Sequence, residues 1–589
     1  MSKYTLSTQK LSFTVDTSPL KIISITNRLN AKVCSTIDSE IFWIECNGQK
    51  ISASQFNIMS IEKHDDGVSR LLKFSICHNK CGVCAYVSFL ANLDDTIEVI
   101  IQMQNGDGKD ARFVGIGFPF MSDGKMLGLK NSMYYAPSKP FESSRGEALL
   151  DLHAACPKVM SFVRNDGYGF DLTFDIPRGS NTQECTLELQ HISSLDELKE
   201  YKSLVRLNRY RAVTMQVKFD AVSKGWMETF GKIKSTARSK VDMYNYMRPD
   251  LKWYNNIFLH QFAYIYSREV YDYENDRVDI ERLINAGKDF GGYDAICLWH
   301  QYPRLGVDER SQWDFFEDFP GGLNGIAEIT KKCHEKGIKV MLPYKPWDAP
   351  DNMSPDDTAS RLAHVIEKTD VDGFFLDTMF NIPDKFRTES DRVKKGCAFC
   401  TELQPENGRT IEVLTGSWQQ SAALPYQTPI LRYVFPEHRS HFISRWSIDS
   451  DRDNMLKKAI MNGSGLVIWQ DIFGSWLPYE DYQKAEVKKW KNIWLDNRNC
   501  FLSKNVFPLW PALQCDLVIN AFIDDLSGEA IFTVYNNSGS QIEGELFSCQ
   551  HYGKNSAYDL WNDDTDIYIT DKKVFGSLKS QQTAIIKVK

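Results

Sequence analysis

The stretch Val371-Asp-Gly-Phe-Phe-Leu-Asp-Thr-Met379 decides how the chain is read. Phe374, Phe375 and Leu376 form a short apolar run behind Gly373 and end on a carboxylate, Asp377. Such a run, bounded by a glycine, predicts a buried strand. A carboxylate at its C-terminal end is costly to desolvate unless it faces a cleft. In a (β/α)8 barrel the C-terminal strand ends are where chemistry is done. Capping a following helix is the alternative role for Asp377. No helix-like pattern begins directly after it, so catalysis is the stronger expectation.

Outward from this stretch, strand and helix patterns alternate, which predicts parallel βα units. The expected strands are 257–266, 293–300, 339–344, 372–377, 410–415, 431–435, 441–446 and 465–469. Helices are expected at 279–290, from Pro320 to about 336, and at 358–368, 390–403, 451–461 and 479–495. Eight units in about 250 residues is the size of one barrel. Residues 1–221 carry period-2 segments such as Leu11-Ser-Phe-Thr-Val15 and Glu98-Val-Ile-Ile-Gln102, separated by Asn, Asp and Gly turns. They predict a large antiparallel N-terminal β-supersandwich. Residues 504–589 return to short strands and predict a C-terminal β-sandwich. The expected fold is therefore a central (β/α)8 TIM barrel over 222–503, entered by a linker helix at 226–246 and flanked by the two sandwiches.

The totals agree with several domains. At 589 residues the chain exceeds a single core. Its net charge of -8, without a basic block, argues against nucleic acid and anionic membrane as partners. No run approaches the roughly 20 apolar residues of a membrane span. The start, Met1-Ser-Lys-Tyr-Thr, lacks an apolar signal core, so the expected location is cytoplasmic, or secreted if a signal has been removed. The cluster Cys77-His78-x-x-Cys81-x-x-Cys84 has metal-like spacing. A hairpin of 71–77 and 83–91 around the turn 78–82 explains that spacing without a metal. Cys397-Ala-Phe-Cys400 has redox spacing but falls in the helix expected at 390–403, where packing is the expected role.

Acids and tryptophans collect just past the expected strands. Trp299 and His300 follow the second. Tyr344, Lys345, Trp347 and Asp348 follow the third, and Asp377 the fourth. Trp418 follows the fifth, Glu437 the sixth, Arg445 and Asp449 the seventh, and Asp471 the eighth. Indole faces suit the C–H faces of sugar rings, and acids and amides satisfy sugar hydroxyls. The tryptophans have an equal claim to be barrel wall. Two opposed carboxylates can cleave a glycosidic bond. Asp377 is the expected nucleophile, and Glu437 the expected acid/base on the strand count. Asp449 is the alternative, with Asp471 and Asp348 behind it. Substrate contacts are expected from Trp299, His300, Tyr344, Lys345, Trp347, Asp348, Trp418, Arg445 and Asp471. His260 stands alone on the first strand, and no phosphate loop or dinucleotide fingerprint occurs, so no metal or other cofactor is expected.

The block Trp313-Asp-Phe-Phe-Glu-Asp-Phe-Pro-Gly-Gly-Leu323, with Ile326, Cys333, Lys336-Gly337 and Lys339-Val-Met-Leu-Pro-Tyr-Lys-Pro346, resembles the corresponding block of α-galactosidase-type glycoside hydrolases. The resemblance implies the sandwich–barrel–sandwich order, a retaining mechanism on α-linked sugars, Asp377 as nucleophile, and an acid/base after the sixth strand. Those enzymes carry a lysine two residues before the nucleophile, where this chain has Phe375; Lys345 on the neighbouring strand is a candidate replacement. The function expected is a retaining glycoside hydrolase of oligosaccharide or glycoside substrates. The alternative is a degenerate barrel that binds a glycan without cleaving it.

Overall fold

The computed structural model describes residues 3–30, 33–46, 48–67, 70–106, 111–117, 131–136, 141–142, 148–150, 159–163, 168–175, 188–192, 202–208, 212–300, 310–348, 353–405, 407–419, 424–426, 428–443, 451–472, 474–512, 516–549 and 556–589. The chain divides into two compact units. The first comprises Met1–Pro140, Leu150–Ser235 and Leu509–Asp516; the second comprises Phe141–Leu149, Thr236–Pro508 and Leu517–Lys589.

The first unit is built from antiparallel sheets. Strands Lys3–Ser7, Leu11–Thr17, Leu20–Asn27 and Val33–Ser39 form one, and Lys202–Asn208, Ala111–Gly117, Trp43–Cys46 and Gln49–Ser52 another. A longer sheet runs through Asn57–Asp65, Arg70–His78, Val83–Ala91, Ile97–Asn105 and Val213–Val222. Alternation places one face of each strand in a shared core, as with Leu11, Phe13 and Val15 against Phe219. The hairpin expected around Cys77 and Cys84 is present. Those two residues pair across it and form a disulfide, so the metal-like spacing is that of a stapled turn.

The second unit holds a closed barrel of eight parallel strands: β1 Leu259–Tyr264, β2 Ala295–Trp299, β3 Lys339–Tyr344, β4 Gly373–Leu376, β5 Ala398–Thr401, β6 Gly416–Gln419, β7 Arg439–Ile443 and β8 Leu466–Ile468. The interior layers include Phe262, Cys297, Trp299, Met341, Phe375, Cys400, Trp418, Val467 and Trp469. Gly373 opens β4 because a Cβ there would meet the carbonyl oxygen of Ala398 at 2.2 Å; β4 and β5 are packed too closely for any side chain. The helices Gln312–Glu317 (α1), Gly322–Glu335 (α2), Pro355–Thr369 (α3), Asp384–Val393 (α4), Gly408–Val413 (α5), Ile430–Val434 (α6), Arg452–Met461 (α7) and Asp481–Asp496 (α8) lie between and after the strands. Two antiparallel sheets close the chain, one carrying Leu517–Ile523 and Ala530–Asn536, the other Ile542–Ser548 and Lys573–Leu578. Asn520 Nδ2 and Thr533 Oγ1 both donate to the carbonyl oxygen of Met461, at 2.9 and 2.7 Å, and so satisfy the last turn of α7. No helix among the described residues is long and apolar enough to cross a membrane.

Two of the expected strands are corrected. The fifth is β5, which lies inside the helix expected at 390–403; Cys397 and Cys400 are fully buried in and beside it. The segment 410–415 instead supplies α5, started by Asn407, whose side chain accepts from the Thr410 amide at 2.9 Å. The sixth is β6, whereas 431–435 supplies α6. Its five residues are all buried, Arg432 included, and a short run buried all round cannot be told from a strand by periodicity. The two errors offset each other: the barrel has eight strands, with the fifth and sixth displaced and the other six where they are expected.

Candidate active site

Three successive strand ends build the site. Lys345, Asp377 and Glu402 are the first residues past β3, β4 and β5. The Asp377 amide donates to the Tyr344 carbonyl at 2.8 Å, and the Glu402 amide to that of Leu376 at 3.0 Å, which prolongs the strand ladder into the rim. The carboxyl groups of Asp377 and Glu402 sit at the ends of adjacent strands, close enough to act on each other. Burial first, then this carboxyl neighbour, push Asp377 up to about 7, against the opposing pull of Lys345. Glu402 Oε2 also accepts from the Thr378 amide at 2.7 Å. Thr378 holds φ of 57°, a left-handed conformation that a β-branched residue rarely adopts. That backbone kink turns the amide onto Glu402 and is the kind of local strain that collects at working sites.

Lys345 is fully buried, with Nζ 4.6 Å over the Trp299 ring and 4.9 Å over that of Trp347. Burial lowers its ammonium to about 7, while Asp377 and Asp348 pull the other way. Asp348 is raised by burial, with Lys345 opposing. Gln312 on α1 fixes the turn after β3. Its Oε1 accepts from the Lys345 amide at 2.9 Å, and its Nε2 donates to the carbonyls of Lys345 and Asp348 at 2.6 and 2.7 Å. The structure thus brings together Lys345, Trp347, Asp348 and Asp377 from the expected set, and adds Glu402 and Gln312.

Other expected contacts are corrected. Trp299 and Trp418 are buried to 2% and 1% exposure and fill the barrel end. Phe375 stacks on Trp418 with ring centroids 3.8 Å apart, and Phe262 touches Trp299, Trp418 and Trp469. The position where α-galactosidases carry a lysine is therefore the centre of an aromatic plug. Trp347 is 44% exposed at the rim. Tyr344 points out of the barrel and packs on Phe386 and Trp313. His300 stacks on Phe316 at 4.2 Å, faces the Gln312 carbonyl, and is pushed down to about 3 by burial; it is a packing residue. The Asp471 carboxylate accepts from the Gly474 amide at 2.7 Å and closes the turn of a two-residue hairpin. Arg445 and Asp449 lie outside the described residues.

Glu437 is the largest correction. It lies between α6 and β7, and so at the N-terminal end of a strand, the end opposite Asp377. Arg238 clasps it with two hydrogen bonds of 2.8 and 2.6 Å, and Lys504 is 3.4 Å away. Burial would raise this carboxyl, but Arg238 holds it below the usual range. It is a structural ion pair. Glu437→Gln is expected to leave kcat within about twofold and to cost roughly 1–3 kcal/mol of stability, the cost of unpairing a half-buried guanidinium. Thermal unfolding and steady-state kinetics on one preparation check this.

Glu402 had a readable signal. Gly396-Cys-Ala-Phe-Cys-Thr-Glu402 repeats the grammar of Gly373-Phe-Phe-Leu-Asp377: a glycine, a short apolar run, a carboxylate. Among the described residues no grouping of His, Cys, Asp and Glu is placed to hold a metal ion.

No protein-family profile matches the sequence, and no curated protein matches it. Solved structures do. The galactosidase domain of the α-galactosidase-sucrose kinase AgaSK covers 100% of this chain and 99% of its own, at 9% identity and a TM-score of 0.43. The GH36 α-galactosidase AgaA from Geobacillus stearothermophilus covers 100% of both, at 10% and 0.42. The α-N-acetylgalactosaminidase NagBb from Bifidobacterium bifidum (a quadruple mutant) covers 90% of this chain and 98% of its own, at 9% and 0.48. The rim side chains, not these likenesses, carry the functional reading.

Proposed function

We propose that the chain is a retaining glycoside hydrolase acting on α-linked sugars, with Asp377 as nucleophile and Glu402 as acid/base. The observation that carries this is the pair of neighbouring carboxyl groups at the ends of adjacent barrel strands. A retaining mechanism needs one carboxylate as nucleophile and a second carboxyl that acts first as acid and then as base. Glu402 gives its proton to the glycosidic oxygen as Asp377 attacks the anomeric carbon, and the leaving alcohol departs. Glu402 then takes a proton from water, whose oxygen displaces Asp377 and restores the pair. The α configuration follows from the resemblance of the Trp313–Leu323 and Lys339–Pro346 blocks. Lys345 and Asp348 supply partners for ring hydroxyls, and Trp347 an apolar face.

Aryl α- and β-glycosides are the first test. Wild-type protein is expected to hydrolyse an α-glycoside with retention of anomeric configuration, and a fluoroglycoside trap should label the peptide that contains Asp377. Labelling on another residue would overturn the assignment. The second reading, a glycan-binding barrel without turnover, is favoured by Lys345, which opposes the Asp377 charge. Glycan binding that survives Asp377→Asn, with no turnover by wild type, selects it.

A further inference from the structure

The floor of the barrel poses a charge problem that the rim does not explain. Arg439 opens β7 and is 1% exposed. Among the described residues its Nε and Nη2 have no hydrogen-bond partner. Arg432 on α6 is also 1% exposed. It donates from Nε to the Asn462 carbonyl at 2.9 Å and from Nη2 to the Phe501 carbonyl at 2.8 Å, and its Nη1 is unpartnered. The two guanidinium groups repel each other, and with burial this depresses Arg439 to about 9. The charged groups that reach Arg439 are Arg432 and the Tyr254 phenol, which interacts as a potential anion. Aromatic faces complete the surround: Trp494 beneath Arg439, and Phe522 and Tyr433 beside Arg432.

Other buried polar atoms lie close by. Among the described residues the Tyr254 hydroxyl and both His260 nitrogens lack hydrogen-bond partners, which adds one hydroxyl and one imidazole N–H donor. The His260 and His441 rings are 4.4 Å apart, and each is 5.9 Å from the Tyr254 ring. Glu437 attracts Arg432 but is itself held by Arg238 and Lys504. A buried guanidinium without a counter-charge is among the most expensive arrangements in a protein. Arg439 and the donors around it need an acceptor that carries negative charge.

We propose that the barrel floor binds a small inorganic monoanion of the halide class at Arg439 and Arg432. Chloride is the halide a cell supplies. Its role is to complete the core: it offsets the Arg439 charge, relieves its repulsion from Arg432 and lets β7 and α6 meet. The site is independent of the rim and stands whether or not the rim cleaves glycosides.

Two measurements on the full-length wild-type chain test this. Unfolding is followed while chloride replaces gluconate at constant ionic strength. A saturable rise in Tm of a few degrees is expected, as for any ligand that binds only the folded state. Crystals grown in bromide should show an anomalous peak within hydrogen-bonding distance of Arg439. Equal Tm in both salts, with no bromide peak at Arg439, overturns the proposal and leaves these donors on ordered water only. Arg439→Met replaces the charge with apolar volume. It is expected to abolish the chloride response, and a response that persists in a folded Arg439→Met protein also overturns the proposal.

Discussion

Asp377→Asn is expected to lower kcat on an aryl α-glycoside by at least about 10^4-fold, the scale on which removal of a nucleophile acts. The amide keeps the shape of the carboxylate but cannot form the glycosyl ester. Covalent labelling of the Asp377 peptide should vanish with it. The same variant carries a stability signature that a generic loss of folding would not produce. Asp377 titrates near 7 in the folded chain against an ordinary value of 3.8. A raised carboxyl favours the protonated form, so its ionisation costs the fold progressively between about pH 4 and 7. Asparagine removes that cost. The variant is therefore expected to be more thermostable than wild type at pH 8, and no more so at pH 4. An inactive variant with lower Tm at every pH would mean that Asp377 serves the structure instead.

Glu402→Gln should separate the two halves of the reaction. General acid catalysis contributes about 10^2–10^4-fold. The full loss is expected on a substrate with a poor leaving group, and little of it on the bond-breaking step of a dinitrophenyl glycoside, whose leaving group needs no proton. Azide, which needs no base, should rescue turnover of the activated substrate and give a glycosyl azide. The pH–rate profile should lose its alkaline limb, because the variant has no general acid to deprotonate. Equal losses on both substrates without azide rescue would reduce Glu402 to a positioning residue that holds the Thr378 amide.

Much of this molecule was legible in its sequence. The run Gly373–Leu376 ending on Asp377, and the glycine turn at Lys336-Gly337 before Lys339, carry enough local pattern to place β3 and β4, and the residue after each is where the structure puts the site. What failed was the middle of the barrel. Residues 398–401 make a strand of four residues, shorter than any reliable period. The apolar runs at 410–415 and 431–435 look like strands because their burial comes from tertiary packing, which periodicity does not see. Glu437 was drawn into the site by that miscount, and Glu402 was hidden by it. Burial also decided the aromatics: sequence separates a tryptophan from its neighbours by type, while only the closed barrel shows that Trp418 is wall and Trp347 is surface.

The aromatic plug under the acids has an optical consequence. Trp299, Trp418 and Trp469 all contact one ring, Phe262, at centroid distances of 5.0, 5.6 and 4.8 Å. Three indoles held rigidly at such spacing, in a dry interior, couple their transitions and emit at short wavelength. Lys345 Nζ rests 4.6 Å above one of them, and its charge shifts that chromophore. The Lys345 end of the barrel thus carries its own reporter: a change in the protonation of Lys345, or a ligand arriving beside it, is expected to register in near-ultraviolet dichroism and fluorescence without any added label.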